Sequence, residues 1–152
     1  MECYEGATMI KTFRGLIADG GEDTIVLHTN DGSMGYRINK FELIAYDPNV
    51  EAESMVQVFS VKQATAPTTI DFSNQELLAA ALYDLSASQS YNPGTVVIID
   101  NVVFNQDIYV NHLESKASSP VNYYIELEQI KLDLGENTVA TLKDIRNVTD
   151  LS

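Results

Sequence analysis

The 152-residue chain has no tryptophan, a single cysteine, and only nine Lys and Arg residues against 22 Asp and Glu residues. One cysteine, Cys3, cannot form an intrachain disulfide, so the fold must rest on its hydrophobic core, and a lone thiol fits synthesis in a reducing cytoplasm. The net charge of −13 argues against nucleic acid and membrane as partners, because affinity for phosphates and anionic lipids depends on Lys and Arg.

Long apolar runs are also missing. No segment approaches the roughly 20 consecutive apolar residues that a membrane-spanning helix needs. The first ten residues carry Glu2 and Glu5 and lack a basic start, so they do not have the pattern of a signal peptide. Hydrophobic residues nevertheless make up 45% of the chain, an ordinary fraction for a globular protein. Residues 1–152 are therefore predicted to form one domain.

What the chain contains instead is a series of short strand-like runs that end at turns. The predicted strands are Met9–Ile17, Thr24–Thr29, Gly35–Tyr46, Val56–Gln63, Thr95–Ile99, Val102–Phe104, Ile108–Leu113, Tyr123–Leu132 and Thr138–Leu142, the last of which also fits a helical face. Gly20-Gly21 and Asp31-Gly32 mark turns, and the Asp-Gly pair favours a hairpin. The pattern predicts a mostly all-β fold, an antiparallel β-sandwich of jelly-roll character.

Two of the long runs change the face on which their apolar residues fall. In Gly35–Tyr46 the change lies at Asn39-Lys40, and in Tyr123–Leu132 it lies between Leu127 and Ile130. A β-bulge, or a strand that crosses from one sheet to the other, produces such a slip. We therefore expect both strands to be curved or interrupted at these points.

One segment favours a helix. Ser73 and Glu76 have the Ser-x-x-Glu spacing of a capping box. The apolar residues that follow share one helical face; they are Leu77, Leu78, Ala81, Leu82 and Leu85. The segment Ser73–Leu85 is therefore predicted to hold one inserted α-helix, near residues 74–85, packed over an edge or end of the sandwich.

The residues that could carry chemistry have no recognisable catalytic spacing, and no phosphate-binding or dinucleotide-binding loop is present. Glu126 and Glu128 share a strand face, as glycosidase carboxylates could, but the polar face of an amphipathic strand explains them better. His28 and His112 each lack a second histidine nearby in sequence and are interpreted as structural. We predict no enzyme activity.

The acidic turns could also be considered as a calcium site. Their carboxylates are Asp19, Glu22, Asp23 and Asp31. EF-hand spacing is absent, and the neighbouring glycines serve the turns in any case. We interpret the group as solvated turns and predict no metal and no cofactor.

The eight tyrosines are better candidates for binding, because Tyr is enriched at interface hot spots. Tyr4, Tyr91 in a polar loop, and Tyr124 are the predicted partner-binding residues; the Tyr123-Tyr124 pair must place one ring on each face of its strand. We expect attachment through an apolar, tyrosine-bearing patch with a polar rim, aided by the segment before Thr8. Such an interface should be insensitive to moderate salt.

Two parts of the chain resemble known proteins. They are Leu16–Gly21 continued by Leu27–Ile38, and Asn122–Leu132 continued by Asn137–Asn147. Both are similar to small virion structural proteins of marine tailed phages, including cyanophages. The resemblance implies a protein that is assembled into virions in the host cytoplasm and that binds the major capsid protein or other virion proteins. An outer capsid decoration (knob) protein is the first expectation.

Two alternatives stay open beside it. A tail or fibre component would also belong to the particle, and self-association into a homo-oligomer is compatible with either place. From another class, a carbohydrate-binding module shares the β-sandwich, although such modules commonly present Trp, which this chain lacks.

Overall fold

The structure is a computed structural model, and it describes residues 9–85, 94–100 and 102–132. The strands are β1 (Met9–Ile17), β2 (Glu22–Ile25), β3 (Met34–Ala45), β4 (Ala52–Phe59), β5 (Leu77–Leu85), β6 (Thr95–Ile98), β7 (Ile108–Glu114) and β8 (Val121–Lys131). They form two antiparallel sheets: sheet A with the order β1-β8-β3, and sheet B with the order β2-β7-β4-β5-β6. The predicted all-β class is confirmed, and no helix in these ranges is long and apolar enough to cross a membrane.

The core lies between the two sheets. Inward-facing residues of both sheets belong to one hydrophobic cluster, with Ile125 and Leu127 from β8 and Val56, Val58 and Val110 from sheet B. These side chains are fully buried, and each contributes roughly 1.5–3 kcal/mol of transfer free energy on leaving water. The arrangement is sandwich-like, as the alternation of apolar and polar residues predicts.

Most strands lie where the sequence places them. β1 has the predicted bounds, and β2, β3, β4, β6, β7 and β8 differ from the predicted strands by up to four residues at their ends. Val102–Phe104 is reduced to one isolated bridge, between Phe104 and Tyr36 of β3. The predicted run Thr138–Leu142 falls outside the described residues.

The two glycine turns connect sheets instead of closing hairpins. Gly20 and Gly32 have φ angles of 78° and 67°, in the left-handed region that glycine adopts without strain. The expected hairpin at Asp31-Gly32 is wrong, because β2 pairs with β7 and β3 pairs with β8. Turn chemistry is local, whereas each strand takes the partner that lets its apolar face reach the shared core.

One of the two predicted register slips is present. The pairing of β3 with β8 shifts between Ile38 and Lys40, which leaves Asn39 as the extra residue of a bulge. The slip predicted for β8 is wrong, because this strand pairs with β1 without interruption along the whole of β1. Ile130 is half-buried near the end of β8 and does not return to the core face.

The predicted helix near residues 74–85 is wrong, because Leu77–Leu85 forms β5, an interior strand of sheet B. The apparent capping box makes turns: Asn74 Oδ1 accepts the Glu76 N–H at 2.9 Å. Leu77 to Ala81 is buried on both faces. A strand covered on both sides has a continuous apolar run that periodicity cannot distinguish from a helix. On the outer side, the loop of residues 60–76 reaches this part of sheet B where Gln57, the register partner of Ala80, donates from Nε2 to the Thr69 carbonyl at 3.1 Å.

Candidate functional site

The outer face of sheet A carries a trough with a volume of about 680 Å³. Its floor lies on the central strand, β8, at Tyr124 and Asn122, and its walls come from β1 and β3. The lining residues are Arg14, Gly15, Leu16, Lys40, Glu42, Ile44, Asn122, Tyr123 and Tyr124. This surface is called the sheet A trough below.

Strand register arranges the trough in two rows. Arg14 and Glu42 flank Tyr124 in the first row, which is the charged row. In the second, apolar row, Leu16 and Ile44 flank Asn122. Leu16 is 48% exposed and Ile44 is 66% exposed, so apolar surface faces solvent at the rim. The bulge at Asn39 keeps Lys40, Glu42 and Ile44 on this outer face.

Tyr123 and Tyr124 lie on opposite faces of β8, as the sequence predicts. The Tyr123 ring is buried, and its hydroxyl donates to Asp23 Oδ2 at 2.9 Å, which links sheet A to sheet B. Burial, reinforced by the Asp23 carboxylate, raises the pKa of Tyr123, so the hydroxyl stays protonated and can donate. Tyr124 is half-buried, with its hydroxyl 3.4 Å from Glu126 Oε1, and it presents its ring to the trough.

Charge is divided unevenly between the two sides of the molecule. The strands of sheet A carry five Lys and Arg residues and three Glu residues, a net charge of +2. The rest of the described chain carries two Lys residues and thirteen Asp and Glu residues, a net charge of −11. Lys11 and Lys131 share the strand face of the core residues, so the outer face that carries the trough has three cations and three glutamates and no net charge. The trough therefore opens on a neutral face of a strongly acidic protein.

The cations of the outer face differ in how far they are neutralised. Arg37 donates to Glu128 Oε1 from Nη2 at 2.7 Å, and Lys40 Nζ lies 3.9 Å from Glu42 Oε2. Arg14 is exposed and has no ion pair or hydrogen bond to another described side chain. It is therefore the cation in the trough that is available to a ligand.

The two glutamates considered as glycosidase carboxylates are arranged as the polar face of an amphipathic strand. The hydrogen bond from Arg37 lowers the pKa of Glu128. A general acid needs a raised pKa, so Glu128 is unsuited to that role. Glu126 lies beside Tyr124 and pairs in register with Lys40.

Both histidines hold backbone in place. His28 Nδ1 lies 2.8 Å from Asp107 Oδ1, which also accepts the N–H groups of Leu27 and His28. Burial alone would raise the pKa of Asp107, but these hydrogen bonds outweigh it and the pKa is lowered. His112 is fully buried, and its Nδ1 lies 3.1 Å from the carbonyl oxygens of Ile17 and Ala18, to which it donates because carbonyls only accept.

The acidic turn residues each serve a separate contact. Asp19 accepts the Glu114 N–H, Glu22 pairs with Lys62, Asp23 accepts from Tyr123, and Asp31 accepts the Ser33 N–H. Within the described ranges, no three His, Cys, Asp or Glu side chains come together as metal ligands. The carboxylates therefore brace turns and sheet edges.

Of the three predicted partner-binding tyrosines, Tyr124 lies at the centre of the trough. Tyr4 and Tyr91 fall outside the described residues, as does the segment before Thr8. Sequence reasoning did not single out Arg14, Leu16 and Ile44, which form the walls. In the sequence, these residues are distinguished only by an outward position in a strand. They can be recognised as parts of one surface only when the three strands are known to be neighbours.

The sequence matches no protein-family model and no curated protein. Its function is therefore inferred from the surface itself and from the resemblance of its two segments.

Proposed function

We propose that this chain is a non-enzymatic structural protein of a phage virion, bound to the outer capsid surface as a decoration protein through the sheet A trough. The observation that carries the proposal is a tyrosine-centred, partly apolar trough on a sheet face without net charge in an otherwise acidic molecule. Two segments of the chain resemble virion proteins of marine tailed phages, and this resemblance is the reason for assigning the protein to the virion.

The position of the trough suits attachment in many copies. Copies of an acidic protein repel one another when crowded, and a contact made through the acidic side would add to that repulsion. A contact through sheet A instead places the −11 side away from the partner. Tyr124 on a central strand is a rigid anchor, which is the kind of residue that dominates interface energetics.

We further propose that the sandwich is wound as a jelly roll. The first four strands alternate between the sheets, and the last two return between them: β8 lies between β1 and β3, and β7 lies between β2 and β4. Double-sheet β folds of viral capsids are commonly wound in this way. β6 departs from this pattern, because it pairs with β5. In the described residues, the outer edge of β3 is bonded only through the isolated bridge between Tyr36 and Phe104.

Mass spectrometry of purified particles tests the proposal. We expect the protein in virions at tens to hundreds of copies. A handful of copies would place it in the tail or a fibre, and its presence in infected-cell lysate but not in particles would contradict a structural role.

A variant locates the contact surface. Tyr124→Ala removes the central ring from the trough, and we expect the variant to be lost from particles during purification. The matched control is Tyr109→Ala, which truncates a half-buried tyrosine of sheet B and should leave particle retention unchanged. Equal retention of both variants would place the contact elsewhere.

Carbohydrate binding is the second candidate, and one observation favours it. Tyr124 in an open trough beside Arg14, Asn122 and Glu42 combines a ring face with side chains that can donate to and accept from sugar hydroxyls. Affinity electrophoresis against a panel of neutral and acidic polysaccharides tests this function. Retardation abolished by Tyr124→Ala would favour a carbohydrate-binding module over a decoration protein.

A further inference from the structure

We infer that the sheet A trough receives an extended segment of its protein partner in which an apolar residue and an Asp or Glu lie two positions apart. The inference rests on the proposed function, because it specifies which part of the capsid partner enters the trough. It depends on three observations: an arginine that has no ion pair among the described residues, the spacing of the two rows, and the uneven charge of the molecule.

Arg14 supplies the recognition of the acidic residue. It is exposed on the wall formed by β1 and has no ion pair among the described residues, whereas Arg37 is held by Glu128. A guanidinium binds a carboxylate through two parallel N–H groups, a geometry that lysine does not match. The position beside Arg14 in the charged row therefore fits a carboxylate of the partner.

The neighbouring row supplies the apolar position. Leu16 and Ile44 flank Asn122, two residues along β8 from the row of Tyr124. Two residues of a β-strand span roughly 6.6 Å, and an extended peptide laid along β8 repeats its side chains at the same interval. A segment in this conformation therefore places residue i over the apolar row and residue i+2 beside Arg14, or the reverse if it runs in the opposite direction.

The charge of the whole molecule is compatible with the same ligand. An acidic segment is repelled by the net charge of −11 outside sheet A, whereas the outer face of sheet A, with three cations and three glutamates, has no net charge and does not repel it. Long-range electrostatics therefore leave the outer face of sheet A as the most favourable surface for it. A basic segment would be drawn to the acidic side instead. Salt should screen the exposed Arg14 contact and leave the apolar row unchanged, so a moderate salt response replaces the salt insensitivity that the sequence predicts.

Nuclear magnetic resonance titration of the ¹⁵N-labelled protein tests the inference with a defined probe. The probe is a blocked glycine-rich peptide of about seven residues that carries Leu and Glu two positions apart; a short segment of this kind should bind with a Kd on the order of 1 mM. We expect shifts confined to the backbone amides of the two rows. Replacing Glu by Lys in the peptide should weaken binding at least fivefold.

A pair of charge-reversal variants separates the trough from general electrostatics. Arg14→Glu should weaken binding of the Glu peptide about tenfold and should restore binding of the Lys peptide. Lys131→Glu changes the net charge by the same amount on the same sheet, but outside the lining of the trough, and should leave both affinities within about twofold. The tenfold loss of affinity expected for Arg14→Glu corresponds to about 1.4 kcal/mol of binding free energy.

Several outcomes would overturn the inference. These are shifts that map outside the two rows, equal binding of the Glu and Lys peptides, or no shift at several times the expected Kd. Polygalacturonate, an acidic polysaccharide, serves as a second probe. If it binds to the trough and the peptides do not, the trough is a glycan-binding site and the inference is wrong. Virions that contain the protein while the peptide fails to bind would overturn this inference alone. Peptide binding by a protein absent from virions would overturn the proposed function alone.

Discussion

At the scale of single residues, the link between the two sheets depends on a missing side chain. Gly15 lies on β1 beside the Tyr123 ring, and a Cβ there would be 2.9 Å from Tyr123 Cε2 and 3.1 Å from Asp23 Oδ2. The contact with the Tyr123 ring is too close for a carbon atom, and the contact with Asp23 is tight enough to require a small shift. Glycine at this position lets the Tyr123 hydroxyl reach Asp23 in the other sheet.

Gly15→Ala is therefore expected to destabilise the protein by about 1–3 kcal/mol, the usual cost of overpacking. Chemical denaturation measures the change. In a Tyr123→Leu background the ring is gone, so the additional cost of Gly15→Ala should shrink by more than half. Equal costs in the two backgrounds would show that the clash with Tyr123 is not the cause.

A second residue-scale feature is the buried Glu114 carboxylate. Its Oε2 accepts the backbone N–H groups of Glu53, Lys116 and Ala117 at 2.6–3.1 Å. Burial alone would raise the pKa of Glu114, but these hydrogen bonds outweigh it and the pKa lies below its ordinary value of 4.5. A lowered pKa in the folded state means that ionised Glu114 stabilises the fold above its unfolded pKa, and that this stabilisation is lost as the pH falls through the folded pKa.

Glu114→Gln should cost about 1–3 kcal/mol near neutral pH, because a neutral amide accepts backbone hydrogen bonds less strongly than a carboxylate. The difference between wild type and variant should decrease as the pH falls below 4.5. Thermal melts across this range check the prediction. The exposed Glu42→Gln serves as control and should change stability little at any pH. A Glu114→Gln cost independent of pH would contradict the role of the ionised form.

At the scale of elements, β5 is the strand whose structure differs most from the sequence prediction. As a helix, Leu77–Leu85 would bury Leu82 and expose Ala79. As an interior strand it does the opposite: Ala79 is fully buried, and Leu82 is 44% exposed. Ala79 to Ala81 are small because sheet and loop cover this part of the strand from both sides.

Glutamate substitutions at these two positions therefore distinguish helix from strand. Ala79→Glu should cost more than about 3 kcal/mol or prevent folding, because it buries an unpaired charge. Leu82→Glu should change stability by less than about 1 kcal/mol, since its side chain can reach solvent. Denaturant unfolding of both variants is the measurement. The opposite ranking of the two costs would support the helix that the sequence predicts for this segment.

At the scale of the whole molecule, the uneven charge has a consequence for stability as well as for binding. Outside sheet A the described residues carry a net charge of −11, so the folded chain holds many like charges close together. Self-repulsion of this kind destabilises a compact state and is relieved by salt.

We expect the thermal midpoint to rise by a few degrees as NaCl increases from about 10 mM to about 150 mM, which shortens the Debye length from roughly 30 Å to 8 Å. Near the pI of about 4.3 the net charge is close to zero, and the same addition of salt should have little effect. Scanning calorimetry at both pH values gives the comparison. A midpoint that falls with salt at neutral pH would show that attractive pairs outweigh the repulsion.

Several features of this protein follow from the sequence alone because their causes are local. Alternation along β1 and β3, the positive φ at Gly20 and Gly32, and the bulge at Asn39 depend on residues that are close in sequence. The opposite facing of Tyr123 and Tyr124 is likewise a property of any strand. The β class and the outward position of Tyr124 could therefore be predicted from sequence.

Strand pairing, the identity of β5 and the composition of the trough were decided only by the tertiary structure. The trough joins Arg14, Ile44 and Tyr124 from three strands, the first and last of which are more than 100 residues apart in the sequence. Such neighbours are selected by which apolar faces can share one core, a non-local condition that no local pattern contains. The same condition makes a continuous apolar run a buried strand in β5, and it collects the cations on sheet A.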